Sequence, residues 1–438
     1  MAIVTTNLHE FGPQGLTCSV ELLDEDGVAF LDETDNSICI ETDAPEGGMK
    51  WLIDVLGGTT FTIPLEQFDE ETGAVAMNYS FEVDWGDGSS DTVTAYNDAN
   101  AAHLYSTTGQ YTITINGTCE RIAFNYGTNR NDILEVTQWD NIVLKDMAFA
   151  FYGCSNLTLT ATDIPDTSGV KNFQQAFDSC DVLTTGFVGW DVTAVTNYKW
   201  AFFDCALLDA DFSSWDVSNT QNFFSMFENS GFNNGSLSGW DMSSATDLEG
   251  MFWGCTITNL DIGGWDVSNV TTFEDMFHLS SGSLDLTNWD VSSCTNFIDM
   301  FSSSEFNGNI SGWTFGTGAL FFNSMFRSAT LFNQDIGWWS SISNIRGVTY
   351  MFYNADAFDQ DISAWDISNV TSFEGFLEFA DGFSIANYDL LLNAWANISA
   401  PFSVHFDCAS QYTIATSQTA RDYLDITRAW TMTDGGGI

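Results

Sequence analysis

The chain has 438 residues, with 60 Asp+Glu against ten Lys+Arg and a formal net charge of −50. That balance excludes a nucleic-acid binder, which needs a basic footprint to displace phosphate counterions, and argues against an anionic membrane as partner. With 37 Phe and 16 Trp the chain is too aromatic for an acidic disordered segment, so a well-packed, strongly acidic, soluble protein is expected.

In chain order, Met1–Leu16 carries no Lys or Arg and no apolar core, so no secretory signal is expected. No run of 18 apolar residues occurs, so no membrane span is expected. Leu16–Leu23 and Ser37–Glu41 read as strands around an Asp26-Gly27 turn. Residues 1–57 are therefore expected to form a small N-terminal β region, suited by position to anchoring. In 58–125, Tyr79–Trp85 alternates as a strand, Gly86-Asp87-Gly88 makes a tight turn needing positive φ, and Asp91–Tyr96 returns. His103-Leu104-Tyr105, a Gly109 turn and Tyr111–Asn116 follow. Trp85-Gly86-Asp87-Gly88 combined with His103/Tyr105 and Gly109/Tyr111 resembles a PKD-type β-sandwich. The resemblance implies a spacer or a cap over the first repeat that follows.

Residues 126–383 are periodic. Trp-Asp recurs at Trp190, Trp215, Trp240, Trp265 and Trp289, at spacings of 25, 25, 25 and 24. The Trp series continues through Trp313, Trp339 and Trp365 and extends back to Trp139. An apolar residue stands three before each Trp, a Phe twelve or thirteen after it, and a small residue three further on. One such unit cannot bury its own apolar face, so about ten of them are expected to stack into like-on-like ladders. Leu284-Asp285-Leu286-Thr287 alternates as a strand. Thr271–Phe277 has helix-like apolar spacing and a cap at Ser268-Asn269, so it reads as a helical turn. Segments such as Trp265-Asp266-Val267-Ser268-Asn269-Val270-Thr271 followed by Met276-Phe277, repeated at Trp365–Thr371, resemble the BspA-type leucine-rich-repeat surface proteins. Individual columns are lost at Pro165, Trp313-Thr314 and Trp338-Trp339-Ser340. The resemblance implies a surface-displayed adhesin or binding protein. The expected fold is mainly β with short helical turns, a leucine-rich-repeat-like right-handed solenoid behind the PKD-like β-sandwich. Residues 384–438 turn helical, at Tyr388–Trp395 and from Thr416/Ser417 to Trp430, and are expected to close the array as a C-terminal cap.

Few residues carry a chemical signal. Asp216, Asp241, Asp266 and Asp290 would stack as a ladder. They are expected to accept backbone N–H groups at their turns; the sharper alternative is a row of hard-cation sites, for which Ca²⁺ is the cofactor that fits. Cys154, Cys180, Cys205 and Cys255 share a column with Ser and Ala, which suits small buried residues and not converging zinc ligands. His9, His103, His278 and His405 are scattered, and no nucleophile elbow, P-loop or dinucleotide fingerprint occurs, so no enzyme is expected. Periodic Phe and Trp read as core. Trp253 and Trp338 break the pattern and are the candidates for exposed ligand stacking. Between Trp200 and Met325 there are 16 acids and no Lys or Arg, a face kept soluble by repulsion that high ionic strength would screen.

The expected role is a non-enzymatic virion structural or appendage protein, a fibre, tail or capsid decoration at the virion surface. Its expected partners are a host cell-surface glycan or protein, and other virion proteins through residues 1–57. Neither nucleic acid nor membrane insertion is expected, and oligomerisation is compatible with the sequence. The alternatives are a bacterial cell-surface adhesin and, using paired carboxylates, a glycan depolymerase.

Overall fold

The computed structural model describes residues 47–438, except 68–75, 141, 234–235, 398–400 and 402. The strands expected at 16–23 and 37–41 lie outside the described residues. All elements below belong to one unit, Gly48–Ile438. Period-two alternation decides its first part. In β1 (Met49–Val55), Met49, Trp51, Ile53 and Val55 are buried while the residues between them are not. There follow β2 (Thr59–Thr62), β3 (Tyr79–Asp84), β4 (Ser90–Val93), β5 (Ala102–Tyr105), β6 (Gly109–Cys119), β7 (Ile133–Gln138) and β8 (Thr158–Leu159). Six of these form a sheet in the order β4-β3-β6-β1-β7-β8, and β2 pairs with β5. β1 runs antiparallel to both β6 and β7, and the parallel β7–β8 pair joins this sheet to the first repeats.

The Gly86-Asp87-Gly88 turn forms with both glycines at positive φ. At Gly86 a Cβ would lie 2.5 Å from the Thr112 carbonyl oxygen, so only glycine fits. Trp85 Nε1 donates to Asp91 Oδ2 at 3.0 Å, and the Tyr105 hydroxyl donates to the Trp85 carbonyl at 2.8 Å. The His103 ring stacks on Trp85 at 5.0 Å and meets Asp87 Oδ2 at 2.9 Å. His103 is therefore committed to holding this turn.

The repeats stack in register, but the leucine-rich-repeat-like right-handed solenoid is not what forms. Parallel pairing is reduced to single-residue bridges, running from Asn172 through Asn197, Asn222, Asp247, Thr272 and Asn296 to Phe321. Apart from the β7–β8 pair at its start, one short pair adds to them, β9 (Leu320–Phe321) with β10 (Ile345–Gly347). Neither a strand at 284–287 nor a helical turn at 271–277 is present. The chain is mainly β with small, mixed sheets and few helices, and its repeats are built from turns.

The backbone shows why. Asp275 and Leu279 have φ of 55° and 56°, which a right-handed helix forbids. The N–H groups of Met276, His278 and Ser280 donate three residues back. Those of Phe273, Asp275, Phe277 and Leu279 donate to Asn296, Ile298, Met300 and Ser302 of the next repeat. The Glu274 N–H goes to the Thr272 hydroxyl at 3.2 Å, so the donors of this stretch are satisfied within the turn or across to the neighbour. This four-residue turn ribbon buries Phe273, Met276, Phe277 and Ser280, which is the i, i+3, i+4, i+7 spacing of a helix face. At 284–287, Asp285 Oδ1 takes the Thr287 N–H at 3.0 Å, diverting the donor a strand would need.

The inward columns behave as ladders. Phe151, Phe177, Phe202, Phe227, Phe252, Phe277, Phe301, Phe326 and Phe352 stack in sequence with ring centroids 5.4–5.9 Å apart. Most of the Trp column needs Trp because the indole both fills the core and donates across one repeat. Trp215, Trp240, Trp265, Trp289, Trp313 and Trp365 give their Nε1–H to Phe187, Phe212, Leu237, Ile262, Leu286 and Ile336 carbonyls at 3.0–3.1 Å. Trp190 and Trp339, beside two of the breaks in the sequence period, have buried indole N–H groups without an acceptor. Trp265→Phe removes one of the two donors to the Leu237 carbonyl, which keeps the Trp240 backbone N–H, and is expected to cost about 1 kcal/mol, whereas Trp190→Phe removes an unsatisfied donor and should cost less. Paired urea titrations read the difference. The Cys column is structural: Cys180, Cys205 and Cys255 thiols donate to the Phe151, Phe177 and Phe227 carbonyls, and burial pushes the Cys255 thiol up to about 12.

The C-terminal segment holds more sheet than the helical cap expected there. β11 (Phe373–Leu377), α1 (Ile385–Trp395), β12 (His405–Cys408), α2 (Ile414–Asp422) and β13 (Thr431–Thr433) follow in order, and the three strands form a parallel sheet, β11-β12-β13. Ser384 caps α1 through the Asn387 N–H. No described helix is long and apolar enough to cross a membrane.

Candidate functional site

Inward columns repeat one residue type; the outward columns of the turn ribbon do not. Positions equivalent to 274, 275, 278 and 279 hold Lys199, Trp200, Phe203 and Asp204 in one repeat, Glu274, Asp275, His278 and Leu279 in another, and Thr349, Tyr350, Tyr353 and Asn354 further on. In these three repeats such side chains are half-buried or exposed. The fold asks little of them beyond tolerating positive φ, so their chemistry is free to differ.

Trp253 lies in one of these columns, half-buried, its ring 4.6 Å from that of His278. His278 Nδ1 meets Asp275 Oδ1 at 3.0 Å. Asp275, His278 and Asp299 bring one ligand atom each within 4.8 Å of one another, a donor set of carboxylate and imidazole compatible with a divalent cation. Burial pushes the Asp299 and Glu228 carboxyls up. Glu249 is pushed to about 7 by burial first and then by the charges of Glu274, Asp247 and Asp275. The sequence held a signal for this cluster: Asp275 and Asp299 are one repeat apart, and His278 is three residues on. Only the turn ribbon, however, brings the two columns together.

Trp338 falls elsewhere, in the 3₁₀ turn Gly337–Ser341 of the Trp column, so the two sequence-picked aromatics do not share a site. Its ring stacks on Phe315 at 6.0 Å. Together with Trp313, Thr314, Thr317 and Asn344 these rings border a cavity of about 440 Å³. Trp313-Thr314 and Trp338-Trp339, two of the places where the sequence period fails, thus meet at one cavity, and no charged residue lines it.

The Asp ladder caps its turns. Asp216, Asp241, Asp266 and Asp290 each accept the N–H two residues on, from Ser218, Ser243, Ser268 and Ser292, at 3.0–3.1 Å. These serines hold Asp216, Asp241 and Asp290 below the usual carboxylate range. The metal-type group found among the described residues includes none of the four. Asp241→Ala is expected to cost about 1 kcal/mol as a lost cap, and Asp241→Asn much less. A Ca²⁺-dependent rise in Tm abolished by Asp241→Asn would instead restore the cation ladder.

Residues 121–237, 229–319 and 279–395 match the model of the family described as Mycoplasma protein of unknown function, DUF285. The chain belongs to this family. The DUF285 match covers the same array that resembles BspA-type repeats. It does not reach 79–118, and it does not show the PKD-type resemblance expected there. No curated protein and no solved structure matches the chain.

Proposed function

We propose that this DUF285 chain is a non-enzymatic, surface-displayed binding protein that recognises a neutral host cell-surface glycan. The platform we favour is a virion, with the chain as a fibre, tail or capsid-decorating component contacting other virion proteins through residues 1–57. The carrying observation is the Trp338 cavity. Aromatic faces stack on the C–H faces of sugar rings while hydroxyl and amide groups take their hydroxyls, and an uncharged lining on a chain of net charge −50 suits a neutral ligand.

A panel of immobilised host polysaccharides tests the reading. Wild-type chain is expected to be retained on at least one, and Trp338→Ala to bind it about tenfold or more weakly, the loss of one good stacking contact. Retention unaffected by Trp338→Ala would sink the assignment to this cavity, and release of reducing ends would make the chain a depolymerase. Quantitative mass spectrometry of purified virus particles and host envelopes settles the platform. Fixed stoichiometry in particles is expected, and recovery only in envelopes would make it a bacterial surface adhesin.

A further inference from the structure

Lys199 shows how the turn ribbon holds a cation. Its ammonium lies 4.3 Å from the Trp200 ring centroid and 4.4 Å from that of Phe224, and its charge favours the ionised forms of Asp247 and Glu249. Ring faces attract positive charge and carboxylates accept its N–H groups, so the two together hold an ammonium well. The Trp200 ring also borders, toward the preceding repeat, a concavity of about 310 Å³ bounded by Gln175, Asp178, Trp200 and Phe203, with no cationic side chain in the lining.

Asp178 is only 5% exposed. Its Oδ2 accepts from Gln175 Nε2 at 2.9 Å and its Oδ1 from Ser179 Oγ at 2.7 Å. An ionised carboxylate offers about four acceptor sites, so these two bonds leave capacity for an incoming donor. Burial and the nearby charge of Asp204 both oppose ionisation of Asp178, and a cation entering the concavity would relieve both. Primary ammonium fits best: it carries the charge the rings attract and the N–H donors the carboxylate accepts. A quaternary ammonium lacks the donors, and a neutral sugar lacks the charge.

We propose that the pocket formed by Asp178, Gln175, Trp200 and Phe203 binds the lysine side chain of a basic partner protein, its ammonium paired with Asp178 and lying against the Trp200 and Phe203 rings. The acidic field of the chain draws basic partners in generally, and this pocket gives that attraction a defined point of contact. The proposal rests on the reading of the array as a binding surface. It concerns a place separate from the Trp338 cavity, so either can fail while the other stands.

The test uses the full chain carrying 5-fluorotryptophan, with the Trp200 signal assigned by Trp200→Phe, titrated with Nα-acetyl-lysine amide. A saturable shift of the Trp200 signal is expected. Asp178→Asn should weaken binding about tenfold or more, as expected for a lost charge-assisted hydrogen bond. Asp261→Asn, which removes the same charge from an exposed position, should leave it within about twofold, because exposed charges act weakly. The Nε-acetylated probe should not shift the signal, and choline should bind more weakly than lysine. Those two arms need no variant to fold. An unmoved Trp200 signal would overturn the proposal. So would equal weakening by both Asp variants, or an equal response to the Nε-acetylated probe, choline or a neutral disaccharide.

Discussion

Phe277→Ala is expected to lower stability by about 3–5 kcal/mol. Phe277 is fully buried, with Phe252 and Phe301 stacked at 5.9 and 5.6 Å on either side. It also lies 6.3 Å from the Trp289 ring. Removing the ring opens a cavity that no neighbour can close, because the adjacent backbones are pinned by cross-repeat hydrogen bonds from Phe277 to Met300 and from Phe252 to Met276. In a stacked array each unit is stabilised chiefly by its two neighbours, so a gap in mid-array weakens coupling between the halves as well as local packing. Urea unfolding followed by circular dichroism should show a lower midpoint and a broadened or split transition. Phe379→Ala makes the control: this ring is 52% exposed, so its loss should stay within about 0.5 kcal/mol. Equal effects at both positions would mean that the ladder is not the source of stability.

The second large effect concerns pH. Asp178, Glu228, Asp247, Glu249 and Asp299 have carboxyls raised in the fold, burial being the first cause in each. A raised group holds its proton more tightly folded than unfolded. Its contribution is therefore complete below its ordinary value and is lost as pH rises through the folded one. For Glu249 that window runs from 4.5 to about 7. The capping Asp216, Asp241 and Asp290 have the opposite sign. Their contribution is present above the ordinary Asp value of about 3.9 and fades as pH falls below it. Stability should therefore peak near about pH 5, lower than for a protein whose acids are all engaged as caps. Glu249→Gln should stabilise by about 1–2 kcal/mol at about pH 8, after allowance for solvent screening of a half-buried group, and by nothing measurable at about pH 5. Melting curves across that range, with the variant beside the parent chain, decide it. A Tm that rises steadily from pH 5 to 8 would show that the buried carboxyls of the ribbon do not govern stability.

Much of this protein is legible in the sequence because its inward columns are strictly periodic. The 25-residue register, the Phe and Trp ladders, the small Cys/Ser/Ala column, the Asp caps after Trp215, Trp240, Trp265 and Trp289 and the positive-φ turn at Gly86-Asp87-Gly88 all follow from residue type and spacing. The form of the repeat does not follow. Periodicity reports which side chains face inward, and a ribbon of four-residue turns buries Phe273, Met276, Phe277 and Ser280 as a helix would. What separates the two is where the N–H groups of Phe273, Asp275, Phe277 and Leu279 go, and their acceptors belong to the next repeat. The outward face was decided by tertiary structure for the same reason. Asp178 meets Trp200, Asp275 meets Asp299, and Trp313 meets Trp338 only because stacking sets residues of neighbouring repeats side by side. Asp275 and Asp299 stand one repeat apart in the sequence, but the period alone does not tell which neighbouring columns meet.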